Sequence, residues 1–274
     1  MKKFICIAVW MVLSGTEASC QVHGNISFEA GIPINEFHDH LDDIGAGIKV
    51  AVYIPFQKKS PVFFGAGIGY MLFGTSRQEI NETLQVFAGN TLISEIPVKL
   101  LVETNNNFVN GHISVRVKAP LEIVQPYGEA RAGFSNFYTR TKVIDHTEKR
   151  IFSSENDNVI TSSTPLNSTT WHFGAEGGFI IRAGKIGIQI GAAYLIGGRA
   201  KYFDRDQISQ WNVQFKGSSG SFDPDDVDPE TVSIENQNAI PKKSSTDLLL
   251  INAGITFGID GKKKGGVKKN NLKK

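Results

Sequence analysis

What most constrains this chain is a series of short segments, between Asn25 and Ile259, in which bulky apolar residues alternate with glycine or polar residues. In residues 25–34, Ile26, Phe28, Ala30 and Ile32 share one face, while Asn25, Ser27, Glu29 and Gly31 share the other. A period of two is the signature of an extended strand exposed differently on its two sides. The second segment is clearer still. Ile44, Ala46, Ile48, Val50, Val52, Ile54 and Phe56 oppose Gly45, Gly47, Lys49, Ala51 and Tyr53. It is long enough to cross a bilayer, which takes about 9 to 11 residues of tilted strand.

Six more segments repeat the pattern. After a turn at residues 57–61, Val62, Phe64, Ala66, Ile68, Tyr70 and Leu72 oppose Phe63, Gly65, Gly67, Gly69 and Met71. Ile113, Val115, Val117 and Ala119 oppose His112, Ser114, Arg116 and Lys118; Ala130, Ala132, Phe134 and Tyr138 oppose Glu129, Arg131, Gly133 and Ser135. Trp171, Phe173, Ala175, Phe179 and Ile181 oppose His172, Gly174, Glu176 and Gly178, and a turn at Ala183 and Gly184 leads to Ile186, Ile188, Ile190, Ala192 and Tyr194 opposite Gly187, Gln189 and Gly191. The last segment sets Leu249, Ile251, Ala253, Ile255, Phe257 and Ile259 against Asn252, Gly254, Thr256 and Gly258.

Alternation alone does not say which face is outside, because a soluble ligand-binding barrel alternates too. Three observations place the apolar face outward. A lumen of about eight strands is just wide enough to be filled by side chains, and this many Ile, Phe, Val and Leu would crowd it. Connections alternate in length, short after the second, fourth and sixth segments and longer after the others, as in outer-membrane barrels with short periplasmic turns and long external loops. Aromatics of the apolar face gather toward strand ends: Tyr70, Tyr138, Trp171 and Tyr194 toward the long loops, Phe28, Phe56, Phe64, Phe179 and Phe257 toward the short turns. Two such girdles mark the interfaces of a membrane. The expected fold is all-β, an antiparallel transmembrane barrel of about eight strands. Within residues 75–110 the β-prone pieces 84–87 and 92–102 extend two of the strands as a hairpin, or else make a barrel of ten.

The chain begins with Lys2 and Lys3, an apolar run over residues 4–13, and the small residues Ala18, Ser19 and Cys20 ahead of Gln21. These read as a signal peptide over residues 1–20, a barrel domain over 21–260 and a basic tail over 261–274. The apolar run is too short for a spanning helix, which needs about 20 residues, and no later segment supplies one. Lipidation at Cys20 is the alternative, but Glu17 occupies a position where that processing needs an apolar residue. Cys6 and Cys20 are the two cysteines, so the mature barrel holds without a disulfide. Composition hides all of this. Hydrophobic residues make up 41 % and charged ones 20 %, because each outward residue is diluted by an inward one. The formal charge of +2 owes much to Lys262, Lys263, Lys264, Lys268, Lys269, Lys273 and Lys274. The body is therefore acidic, and no nucleic-acid surface is implied.

With Gln21 after the cleavage site, the segments 61–70 and 126–133 and the closing stretch 252–258, the chain resembles the outer-membrane β-barrel proteins of Bacteroidetes-type bacteria, relatives of small OmpA-like and PorT-like barrels. The resemblance covers residues 21–260. It implies the outer membrane of a Gram-negative bacterium, lipid contact and insertion by the barrel-assembly machinery. Such barrels often end on an aromatic residue read by that machinery, whereas Phe257 is followed by the lysine-rich tail, which points to an internal insertion signal.

Candidate chemistry is sparse. His112 and Ser114 resemble the His-x-Ser pair of lipid A deacylase barrels, but their neighbours Ile113, Val115 and Val117 claim the outside, and no orienting acid is identifiable. His38, Asp39, His40, Asp42 and Asp43 crowd one outer loop; adjacent spacing makes a solvated loop the better reading than a metal site. The acidic stretch of Asp223, Asp225, Asp226, Asp228 and Glu230 is broken by Pro224 and Pro229 and lacks the glycine of a calcium loop. No catalytic, cofactor or metal residue is assigned. The strongest constellation is a lumen charge network of Glu29, Lys49, Arg116, Glu129, Arg131 and Glu176, with Arg182 or Lys185 as a further candidate cation. Charges in a narrow lumen must pair or keep water. A paired plug is the expectation, a gated narrow pore the alternative, and the external loops are expected to carry whatever ligand binding occurs.

Overall fold

The computed structural model describes residues 22–57, 60–88, 91–147, 159–184, 186–203, 212–215, 232–235 and 240–259. The signal segment with its cysteines, Lys185, the acidic stretch 223–230 and the tail 261–274 lie outside these residues. The strands are β1 Val22–Pro33, β2 Gly45–Pro55, β3 Val62–Ala88, β4 Thr91–Lys118, β5 Val124–Asp145, β6 Val159–Ala183, β7 Ile186–Gly197, β8 Ala200–Tyr202, β9 Asn212–Phe215, β10 Val232–Glu235, β11 Lys242–Ser244 and β12 Leu248–Ile259. Eight of them close a barrel in the order β1-β12-β7-β6-β5-β4-β3-β2, every described neighbour antiparallel. Closure joins the two ends of the chain, with Val22 opposite Ile259 and Pro33 opposite Leu248. The barrel therefore leaves no open edge.

Eight strands, not ten, form the wall, because β3 and β4 stay paired with each other to Ala88 and Thr91. At about 3.3 Å per residue the 27 residues of β3 span roughly 90 Å of extended chain, far more than a tilted crossing needs. β5 and β6, of 22 and 25 residues, rise beside this hairpin. Connections 56–61, 119–123 and 184–185 lie at one end of the barrel; the long connections 34–44, 146–158 and 198–247 lie at the other, where β3 and β4 instead run on as long strands joined by residues 89–90. In the longest connection β8 pairs with β11 and β9 with β10.

Side-chain polarity inverts along the wall. In the half near the short turns the outward face is apolar, with Ile113 71 % and Phe28 74 % exposed, and Ile48, Val50, Ile68, Ile188 and Ile255 also exposed. Inward positions there are mostly glycine or polar, with Ala51, Phe63 and Ile180 buried among them. Higher up, the outward face of β4 carries Asn107, itself buried, then Asn105, Glu103, Leu101 and Lys99, while the other face passes from Asn106 and Thr104 to Val102, Leu100 and Val98, all buried. β5 changes at the same level, from Ala132 and Phe134 to Asn136, Arg140 and Lys142, with Val143 buried. In β3 the change coincides with a bulge: the register slips between Phe73 and Thr75, and Gly74 sits there with φ +63. A Cβ at Gly74 would collide with the Asp43 carboxylate, so glycine serves both the conformation and the close approach.

One girdle residue needs correcting. Phe28 lies in the middle of β1, opposite Ile48 and Ala253, and not at the short-turn end. Alternation gave its face, but its height depended on the strand's start, which is Val22 and not Asn25. Phe64, Phe179 and Phe257 lie within a few residues of the short-turn ends, and Phe56 just beyond the end of β2. Tyr70, Tyr138 and Trp171 sit where polarity inverts, and Tyr70 Oη donates to Asn107 Oδ1 at 2.7 Å.

Candidate functional site

The lumen face of the lower barrel is rich in glycine, which leaves room for long side chains from the opposite wall. A Cβ at Gly65 would meet the Tyr53 ring and Ser114, and one at Gly67 the His112 ring. Into this space project Glu29 from β1, Lys49 from β2, Arg116 from β4, Glu129 and Arg131 from β5 and Glu176 from β6. All six are buried, Lys49 completely.

They form one network. Lys49 Nζ lies 2.9 Å from Glu29 Oε1 and 3.1 Å from Glu176 Oε2. Arg131 Nη1 lies 3.4 Å from Glu176 Oε2, and Arg116 Nη2 is 3.9 Å from Glu176 Oε1. Arg116 Nε donates to Glu129 Oε2 at 2.6 Å. Three cations thus meet three carboxylates, so the cluster is neutral as a whole, and Glu176 is its centre. Arg182 has no carboxylate within ion-pairing distance among the described residues.

Neutral side chains missed by charge counting complete the network. Tyr127 Oη donates to Glu176 Oε1 at 2.7 Å, and Gln189 Nε2 to the same oxygen at 3.3 Å. Arg116 Nη1 donates to Gln189 Oε1 at 2.9 Å and Nη2 to Tyr53 Oη at 2.7 Å. The Arg116 guanidinium lies between two rings, 3.9 Å from the centre of Tyr53 and 4.3 Å from that of Tyr127. Such stacking holds a desolvated arginine in place. The signal was present in the sequence, since Tyr53 and Tyr127 are large polar rings on an otherwise small-residue face.

His112 and Ser114 point into the lumen and are buried. Neither His112 nitrogen nor Ser114 Oγ has a hydrogen-bond partner among the described residues. The serine that touches an imidazole is Ser135, 2.7 Å from His172 Nδ1, and the two histidine rings are 6.4 Å apart. No carboxylate completes a triad around either pair among the described hydrogen bonds. In the loop holding His38, Asp39 and His40, a short 3-10 turn over Asn35–Phe37 points Phe37 inward. No group of three or more His, Cys, Asp or Glu is placed to hold a metal ion among the described residues.

Above the charge network the lumen turns apolar. Phe37, Leu41, Met71, Phe73, Phe108, Phe137, Leu195, Tyr202, Leu248 and Leu250 form a buried cluster across the long-loop mouth. Phe37 packs edge-on against Phe73, Phe137 and Tyr202 at centroid distances of 6.0, 5.5 and 5.0 Å. The loop carrying it is tied down by Asn35 Nδ2, which donates to Asp247 Oδ2 at 2.9 Å, and by Glu36 Oε2, which accepts from the Ser245 backbone at 3.2 Å. Below the network, at the short-turn mouth, lies a cavity of about 250 Å³. Among the described residues the lumen is therefore filled by apolar side chains at the long-loop end, cross-linked in the middle and hollow at the short-turn end.

No known family model matches the chain. No curated protein matches it in sequence either. Solved structures similar to it include Neisserial surface protein A, 10 % identical over 88 % of this chain and 97 % of that one, with a TM-score of 0.35. A major outer membrane protein from Thermus thermophilus is 9 % identical over 87 % and 99 %, with a TM-score of 0.42. Ail, the attachment invasion locus protein of Yersinia pestis, is 8 % identical over 87 % and 97 %, with a TM-score of 0.34.

Proposed function

We propose that this chain is an integral outer-membrane barrel of a Gram-negative bacterium, with a structural or surface-interaction role and no catalysis. The observation that carries the reading is the inversion of polarity along the wall. An outward band of Ile, Val and Phe with charges inside, changing higher up the strands to a mainly polar outward face with Val98, Leu100, Val102 and Val143 buried beside threonine and asparagine, fits a wall that leaves a lipid layer and enters water. The tall β3–β4 hairpin and the rise of β5 and β6 then stand outside the cell as the presented surface, and the lower barrel anchors them. His112, Ser114, Ser135 and His172 are buried in the lumen, and no carboxylate joins either histidine–serine pair among the described hydrogen bonds.

Fractionation tests the anchor: the full chain, expressed in a Gram-negative host, should stay with the outer membrane through alkaline carbonate washing. Recovery as a soluble periplasmic protein overturns the reading. Pull-down of partners by the intact barrel, against a variant with the β3–β4 hairpin trimmed to residues 73–105, tests the surface role. A narrow channel is the second reading. It is favoured by polar atoms of His112, His172, Ser114 and Arg131 that have no hydrogen-bond partner among the described residues and would line a hydrated path.

A further inference from the structure

The cavity at the short-turn mouth has a chemistry unlike the rest of the lumen. Among the described residues its lining includes Tyr53, Phe63, Arg116, Lys118, Gln125 and Arg182, and no Asp or Glu. Arg116 forms its floor, but Glu129 already neutralises that guanidinium. The two cations nearer the rim are different: neither Lys118 nor Arg182 has a carboxylate within ion-pairing distance among the described residues. Lys118 Nζ instead lies 4.5 Å from the centre of the Phe63 ring, half-buried. The neutral network stops one layer deeper, so among the described residues two cations without an ion pair stand at this mouth beside the Phe63 ring.

The rim is also held in shape. Lys118 N donates to Pro61 O at 2.9 Å and Arg182 N to Ile123 O at 2.8 Å, so the short turns fix the strand ends that bear both cations. Gln125 Nε2 is engaged by Leu121 O, while its buried Oε1 has no hydrogen-bond partner among the described residues. A preformed pocket with two cations that have no carboxylate in ion-pairing distance among the described residues, and with an aromatic wall, matches one class of ligand. We propose that this mouth binds a small amphiphilic anion, a phosphate or carboxylate on an apolar body, with Lys118 and Arg182 on the charged group and Tyr53 and Phe63 against the body. At about 250 Å³ the cavity takes a single ring with its anionic substituent. That this mouth faces the periplasm rests on the orientation proposed above; the binding itself does not.

Phenyl phosphate is the probe, titrated calorimetrically into the full chain folded in neutral maltoside micelles. Saturable binding that weakens with salt is expected. Benzylamine, of similar size and opposite charge, should not bind. The double variant Lys118→Ala, Arg182→Ala should lose roughly tenfold or more in affinity, since each charge-assisted contact contributes at least that order. Lys99→Ala, on the outward face of the β4 extension, should bind as wild type does. If the double variant misfolds, Arg182→Gln alone, at an exposed position, still has to weaken binding. Phosphatidylglycerol added to the micelles separates two sources of the same chemistry: displacement of the probe assigns the site to a lipid headgroup, and no displacement to a soluble anion. An absence of saturation, equal binding by the variants, or equal binding of benzylamine would overturn the proposal.

Discussion

Glu176 decides the lumen. Its carboxylate faces Lys49, Arg131 and Arg116 and accepts a hydrogen bond from Tyr127, whereas Glu29 faces Lys49 alone. Removing Glu29's charge leaves Lys49 with Glu176; removing Glu176's leaves Arg131 with no carboxylate in ion-pairing distance among the described residues and Lys49 and Arg116 with one each. Glu176→Gln should therefore destabilise the barrel by about 3 to 5 kcal/mol, the range for breaking a buried pair, and Glu29→Gln by clearly less. Urea titration in lipid vesicles measures both. If each costs under about 1 kcal/mol, the lumen is wet enough to screen them as a surface would. The six charged residues could be read from their position on the small-residue face. Their assembly around Glu176 could not, because register between strands far apart in sequence sets which charges meet.

At the scale of strands, period two revealed the faces and the alternating connection lengths revealed the ends. Heights were harder. Phe28 was misplaced by a strand start three residues too late, and the bulge at Gly74 shifts the alternation of β3 by one, so residues 75–88 do not continue the pattern below them. The apolar cap was hidden for another reason: Phe37 and Leu41 sit in a loop without periodicity. A signal did exist in Met71, Leu72 and Phe73 and in Leu248, Leu249 and Leu250, where both faces of a strand are apolar at once. Polarity inversion makes a prediction that belongs to this scale. Ile48→Arg or Ile188→Arg, on the apolar band, should cost about 2 to 4 kcal/mol in vesicles. Lys99→Glu, on the outward face of the β4 extension, should change stability by no more than about 0.5 kcal/mol. Equal costs at the two heights would mean that the wall does not pass from lipid to water between them.

For the whole molecule, the cap and the charge network are two seals in series, one apolar and fixed by a loop, the other ionic and fixed by the wall. Their chemistry makes them independent: the cap depends on Phe37 being held down through Asn35 and Glu36, and the network depends on Lys49 and Glu176 reaching across the lumen. The wild-type barrel should show no steady conductance in a planar bilayer. Replacing residues 35–41 by a glycine linker removes the cap's centre but leaves the ionic layer, and the double variant Lys49→Ala, Glu176→Ala does the reverse; each alone should remain closed. Combining them should produce a small, steady current, because an eight-stranded lumen is filled only by its side chains. The lower mouth, already hollow, adds no third barrier. Steady wild-type conductance whose ion selectivity changes with Lys49→Ala alone would replace the sealed barrel with the narrow channel.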